Sequence, residues 1–163
     1  MAEKTRTQWY LGAPNAVVLC VDGWGADGFS GRAWNAYREE PLEFNEPVEA
    51  IFGMERFFDE LKFPFASTTM RRFKEASPGK AAAGGRPARP LEKEKVMSDK
   101  DLLEKHGDLG TFIIRVQQRQ NSSWQGRITW MDEDKSVNFR SIWEMIHLME
   151  EAIGPEDDGG SNW

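Results

Sequence analysis

Apolar residues along the chain gather into two short runs, AVVLCV at 16–21 and TFIIRV at 111–116, both rich in β-branched side chains. Runs of this length and composition predict strands rather than helices. Each is followed by a polar stretch of nine residues, DGWGADGFS or QQRQNSSWQ, predicted as a loop. A second strand is then expected in GRAWNAYR and GRITWM, a turn in EEP and DEDK, and a short third strand ending at Phe44 and at Phe139.

A helix closes each series. Ser141 with Glu144 three residues later has the form of a capping box, in which each side chain satisfies a free N–H of the first turn. In the earlier series Glu46 stands at the cap and Pro47 at the first helical position, where a missing N–H costs nothing. Ile51, Met54, Phe58 and Leu61 fall on one stripe, as do Ile142, Ile146, Met149 and Ile153. Each helix therefore needs a sheet to lie on.

The two series superimpose at a constant offset of 95 residues, from Val17 against Phe112 to Phe58 against Ile153. Gly31 meets Gly126, Arg32 meets Arg127, Phe44 meets Phe139 and Glu49 meets Glu144. One three-stranded unit with one helix buries little by itself. The expectation is an α+β fold: two tandem βββα repeats forming a pseudo-symmetric antiparallel sheet with helices packed on one face. Trp34 aligns with Thr129 and Trp130 with Asn35, so these tryptophans point to opposite faces unless a bulge shifts one strand.

The expected organisation is a first repeat with extensions over 1–75, a flexible linker over 76–97, a short helix and second repeat over 98–153, and a disordered tail over 154–163. The linker is rich in Pro, Gly, Ala and Lys. Ser98 is placed to cap the short helix, and Gly107 to close it. STTMRRF, ahead of the linker, reads as an edge strand or a short helix.

Charge changes the picture more by distribution than by sum. The chain carries a net −6, but residues 16–61 hold ten acidic and three basic side chains, and residues 62–110 hold eleven basic and seven acidic ones. An acidic first unit is thus followed by a basic middle, and a phosphate-gripping surface over the whole molecule is excluded. No apolar run approaches a membrane span and the first residues lack a signal-peptide pattern, so a cytoplasmic protein with no membrane contact is expected. The single cysteine, Cys20, lies inside an apolar run, where a buried thiol is expected.

Candidate chemistry is sparse. Gly23, Gly25 and Gly28 have G-x-G-x-x-G spacing, but a strand follows instead of the helix that would hold a pyrophosphate. His106 and His147 are the only histidines, no ligand spacing for a metal is present, and His147 is expected to be a partly buried structural residue. No serine stands in a nucleophile elbow. The expectation is a protein that is not an enzyme and has no cofactor or metal.

What remains is aromatic and guanidinium chemistry of the kind favoured at interfaces: Trp24, Phe29, Arg32 and Trp34 in the first unit, and Arg119, Trp124, Arg127, Trp130 and Arg140 in the second. The second unit, with RVQQRQNSSWQGRITWMDEDKSVNFRSIWEM, resembles the arm-binding domains of tyrosine-recombinase integrases. That resemblance implies a three-stranded sheet presented to the DNA major groove, with Arg115, Arg119, Trp124, Arg127 and Thr129 facing DNA. The first unit departs from it, with Trp24 where Arg119 stands and a net −7 over residues 16–61.

The expected function is a protein-binding or regulatory module that docks on another protein through an exposed sheet and aromatic loops. As an inhibitor it would occupy a nucleic-acid groove of that partner. A DNA- or RNA-binding role for the second unit and the basic linker is the alternative, and a homodimer is a further expectation.

Overall fold

The computed structural model describes residues 13–74 and 94–154. Six strands form one antiparallel sheet: β1 (Val17–Gly25), β2 (Gly28–Trp34), β3 (Leu42–Phe44), β4 (Gly110–Gln118), β5 (Gln125–Trp130) and β6 (Lys135–Phe139), in the spatial order β3-β2-β1-β4-β5-β6. The described helices are α1 (Pro47–Leu61), α2 (Asp99–Leu103) and α3 (Ile142–Ile153). None of them is long and apolar enough to cross a membrane. The α+β class is therefore as expected, and the expected linker centre and tail lie outside the described residues.

Alternation along the strands builds two cores. Val17, Leu19, Val21, Phe112, Ile114 and Val116 face α1 and α3, meeting Met54, Phe58, Met145 and Met149. Val18, Cys20 and Ile113 point the other way, where Leu102 of α2 covers them together with Trp34. The sequence expectation put the helices on one face; the two long ones are there, but α2 lies on the opposite face. Burial pushes the Cys20 thiol up to about 11, so it is protonated and inert at neutral pH.

Two loops differ from expectation. The first hairpin is much tighter than a nine-residue loop, since β1 runs to Gly25 and β2 restarts at Gly28, whose φ of 102° suits glycine. The strand pairing continues through Trp24 opposite Phe29. The second connection is longer, from Arg119 to Trp124, and Asn121 and Ser122 both take positive φ there. STTMRRF forms neither helix nor strand; it runs as a strap along the sheet end, touching it through an Ala66–Arg119 bridge and the Ser67 N–H to the Arg119 carbonyl.

The helix starts follow the sequence closely. Glu46 is the cap of α1 with Pro47 behind it, and Ser141 accepts the Glu144 N–H at α3. Glu144 closes its half of the box one residue early, accepting from the Arg140 N–H at 3.2 Å. Ser98 and Asp101 form a complete capping box on α2.

A latch made of α2 and the residues around it covers the first half of the sheet. The Val96 and Met97 N–H groups donate to the Ala36 carbonyl, and the Leu109 N–H to that of Val21. Asp22 ties the end down, accepting from Arg32 Nε at 2.9 Å and from the Asp108 N–H at 3.1 Å, while Arg32 also reaches the His106 carbonyl. The Arg32 guanidinium holds the Asp22 carboxyl below its ordinary value of 3.8. A depressed carboxylate contributes stability above its unfolded pKa and loses it as pH falls through the folded one. D22N is therefore expected to lower the unfolding free energy measured in urea at about pH 7 by under about 1 kcal/mol for this part-exposed pair, and to match the parent near pH 2.

Candidate functional site

The nine residues singled out from the sequence do not form one surface. Phe29 and Trp124 are each 1% exposed and belong to the core. Trp124 packs edge-on against Phe58 and donates Nε1 to Glu55 at 2.6 Å. Arg119 is buried as well, donating to the Pro64 carbonyl and pairing with Glu55 and Asp59 at 3.0 and 2.8 Å. Trp124 and Arg119 hold α1 to the sheet, each through Glu55, and Phe29 packs in the core against Phe44. Arg32 is bound to Asp22, and Trp34 lies under the latch with Lys105 Nζ 4.1 Å from its ring centre.

Trp34 and Trp130 do face opposite sides, the latter packing against the core beneath the long helices. The bulges fall in β1 and β4, between Val21 and Gly23 and between Val116 and Gln118, so nothing shifts β2 or β5. Trp24 remains half-exposed at the end of α3, with Gly154 beside its ring, and Arg140 is exposed and bonded to Glu144. His147 is exposed, not partly buried. It stands one turn from Trp143 on the outer side of α3, away from the buried stripe.

Two surfaces are left that can engage something. The first is the half of the sheet that the latch does not cover. There Arg115 stands directly opposite Arg127, and Arg127 opposite Asn138. Like charges across a strand pair repel, and Arg115 has a buried Nε without a partner. Burial, and secondarily the Arg127 charge, hold the Arg115 guanidinium below its ordinary pKa. The contrast with the other half is chemical: Arg32 has Asp22, whereas no carboxylate pairs with Arg115 or Arg127 among the described residues. Thr129 and Ser136 share a hydroxyl hydrogen bond of 2.8 Å on the same face.

The second surface is a groove between α1, the strap and the start of α3. Ile51 and Phe52 line one side, Ala66 and Met70 another, and Ile142 a third, around a volume of about 120 Å³. Phe52 is 61% exposed, Met70 64%, and Trp143, next to Ile142 in the chain, 82%. These residues were not singled out from the sequence, although a signal exists. Val48 and Phe52 on α1, and Trp143 on α3, lie off the buried stripe, where an amphipathic helix places polar residues.

A binding surface is what this arrangement offers: large apolar side chains around a shallow groove, and separately a pair of uncompensated arginines on an open sheet. No family model, no curated protein and no solved structure matches the chain.

Proposed function

We propose that the chain is a non-enzymatic protein-binding module built from two βββα units, and that its partner inserts apolar side chains into the groove between α1, the strap and α3. The exposure of Phe52 and Met70, both lining that groove, carries this reading, and the exposed Trp143 follows the lining residue Ile142 in the chain. Large apolar residues placed together in water are costly unless a partner covers them, and Trp is the residue type most concentrated at interface hot spots. Arg140, three residues before Trp143, adds an almost fully exposed guanidinium paired with Glu144.

The duplication is supported by strand register. Val21 lies opposite Gly31 and Gly31 opposite Phe44; the residues 95 further on, Val116, Gly126 and Phe139, have the same partners. β1 and β4 bulge at corresponding positions. They also pair symmetrically about Val18 and Ile113, as a two-fold axis between the units requires.

W143A and F52A are each expected to weaken partner binding by about 2 kcal/mol, roughly thirty-fold, with unchanged urea midpoints. Measuring the affinity of one captured partner for all three proteins checks this. Unaltered affinity in both variants would remove the groove from consideration.

The Arg115–Arg127 pair favours a second reading, in which the open half-sheet binds a nucleic-acid backbone. Its signature is duplex binding that falls steeply with added salt and is lost in R115A and R127A while W143A behaves as the parent.

A further inference from the structure

The most unequal feature of the two halves is the space between each long helix and its outer strands. In the first half a cleft of about 80 Å³ lies against Val17, Ala33, Asn35 and Leu42; in the second, one of about 240 Å³ lies against Phe112, Ile128, Trp130 and Val137, each 95 positions later. The first cleft is small because it is filled. Phe57 packs there against Tyr37 and Phe58, and Leu42 occupies the space that a side chain at Gly53 would take. In the second, Ala152 stands where Phe57 does and Val137 where Leu42 does, and a larger space remains beside α3.

Apolar walls that face no packed atom forgo dispersion contacts that a bound molecule would restore. The apolar lining here includes Phe112, Ile128, Trp130 and Leu148. By comparison with a cavity of about 150 Å³ that takes benzene, it holds a molecule of roughly ten non-hydrogen atoms. Among the described residues, the charged ones lining it are Lys135 and Glu151. Neither forms an ion pair among the described residues. A cation and an anion at one small apolar cleft are complementary to a ligand carrying both charges beside an apolar body. A fatty acid would meet Lys135 but bring its carboxylate to Glu151, and an alkylamine would have the converse conflict.

We propose that the cleft between α3 and strands β5 and β6 binds a free hydrophobic α-amino acid of about leucine's size, with its side chain against Ile128 and Leu148, its carboxylate at Lys135 and its ammonium at Glu151. Binding involves no bond making. This inference is independent of the docking groove, and the failure of either leaves the other standing.

Titration calorimetry on the full chain with L-leucine tests it. Saturable one-site binding is expected with a Kd on the order of 1 mM or tighter. Two leucine fragments, 4-methylpentanoate lacking the ammonium and 3-methylbutylamine lacking the carboxylate, are each expected to bind at least about tenfold more weakly. K135A should lose the preference for leucine over the amine, and E151A that for leucine over the carboxylate. A152F, which fills the cleft as Phe57 fills its counterpart, should abolish binding without lowering the unfolding temperature; V137F, entering from the strand side, serves the same purpose if A152F does not fold. The proposal is overturned if leucine gives no saturable heat, if either fragment binds as tightly as leucine, or if a folded cleft-filling variant binds like the parent.

Discussion

Trp124→Ala is expected to destabilise the protein by about 3–5 kcal/mol, as truncation of a fully buried aromatic does. The side chain is 1% exposed and its ring centre is 5.3 Å from that of Phe58 on α1. Its loss removes more than ring packing. Glu55 accepts from Trp124 Nε1 with one carboxylate oxygen and from Arg119 with the other, so the indole, the carboxylate and the guanidinium act as one clamp between helix and sheet. Without the indole one oxygen of Glu55 loses its donor, and a hydrogen bond to a charged group contributes about 1.5–3 kcal/mol. Trp124→Phe separates the terms: it keeps most of the ring packing, loses the donor, and should cost about 1.5–3 kcal/mol. Urea unfolding followed by circular dichroism measures both. A cost under about 1 kcal/mol for Trp124→Ala would mean that the clamp does not secure α1.

Why Trp124 and Arg119 looked like surface residues from the sequence has a specific physical cause. Along β4, Thr111, Ile113 and Arg115 lie on the face away from the long helices, and simple alternation would carry Gln117 and Arg119 to that same face. The bulge between Val116 and Gln118 inserts a residue, and Arg119 turns instead towards Glu55 and Asp59 of α1. The corresponding bulge in β1 sends Trp24 to the helix side, beside Gly154 at the end of α3. Alternation and helix caps depend on neighbours in the chain, and these were legible. A bulge depends on how two strands meet, and the sequence marks it with nothing but a glycine on the partner strand. Exposure was legible in part: the helical stripe separates Ile51 from Phe52, but it does not say which element lies beside Phe52.

That glycine supplies the second large effect. A Cβ at Gly126 would lie 2.1 Å from the Arg115 carbonyl oxygen and 2.9 Å from Val116 Cα, and one at Gly31 would lie 1.9 Å from the Cys20 carbonyl oxygen. In both cases the obstacle is the backbone of the neighbouring strand, next to its bulge, so no side-chain rotation can relieve it. A methyl group there forces the strands apart at the pairs Val116–Gly126 or Val21–Gly31, which lie at the centre of each half-sheet. Gly126→Ala and Gly31→Ala are each expected to cost upwards of about 3 kcal/mol, placing them among the most damaging single methyl additions. Gly25→Ala is the matched control: it sits in a β1 hairpin position with nothing within 4 Å of its would-be Cβ, and its cost should stay within about 0.5 kcal/mol. Urea midpoints for the three variants decide the matter, and a Gly126→Ala midpoint close to that of Gly25→Ala would show that the strands part readily at the bulge. Two glycines, each facing the carbonyl before a bulge, should fail in the same way, because each lets a strand close onto the distortion that turns Trp24 or Arg119 towards the long helices.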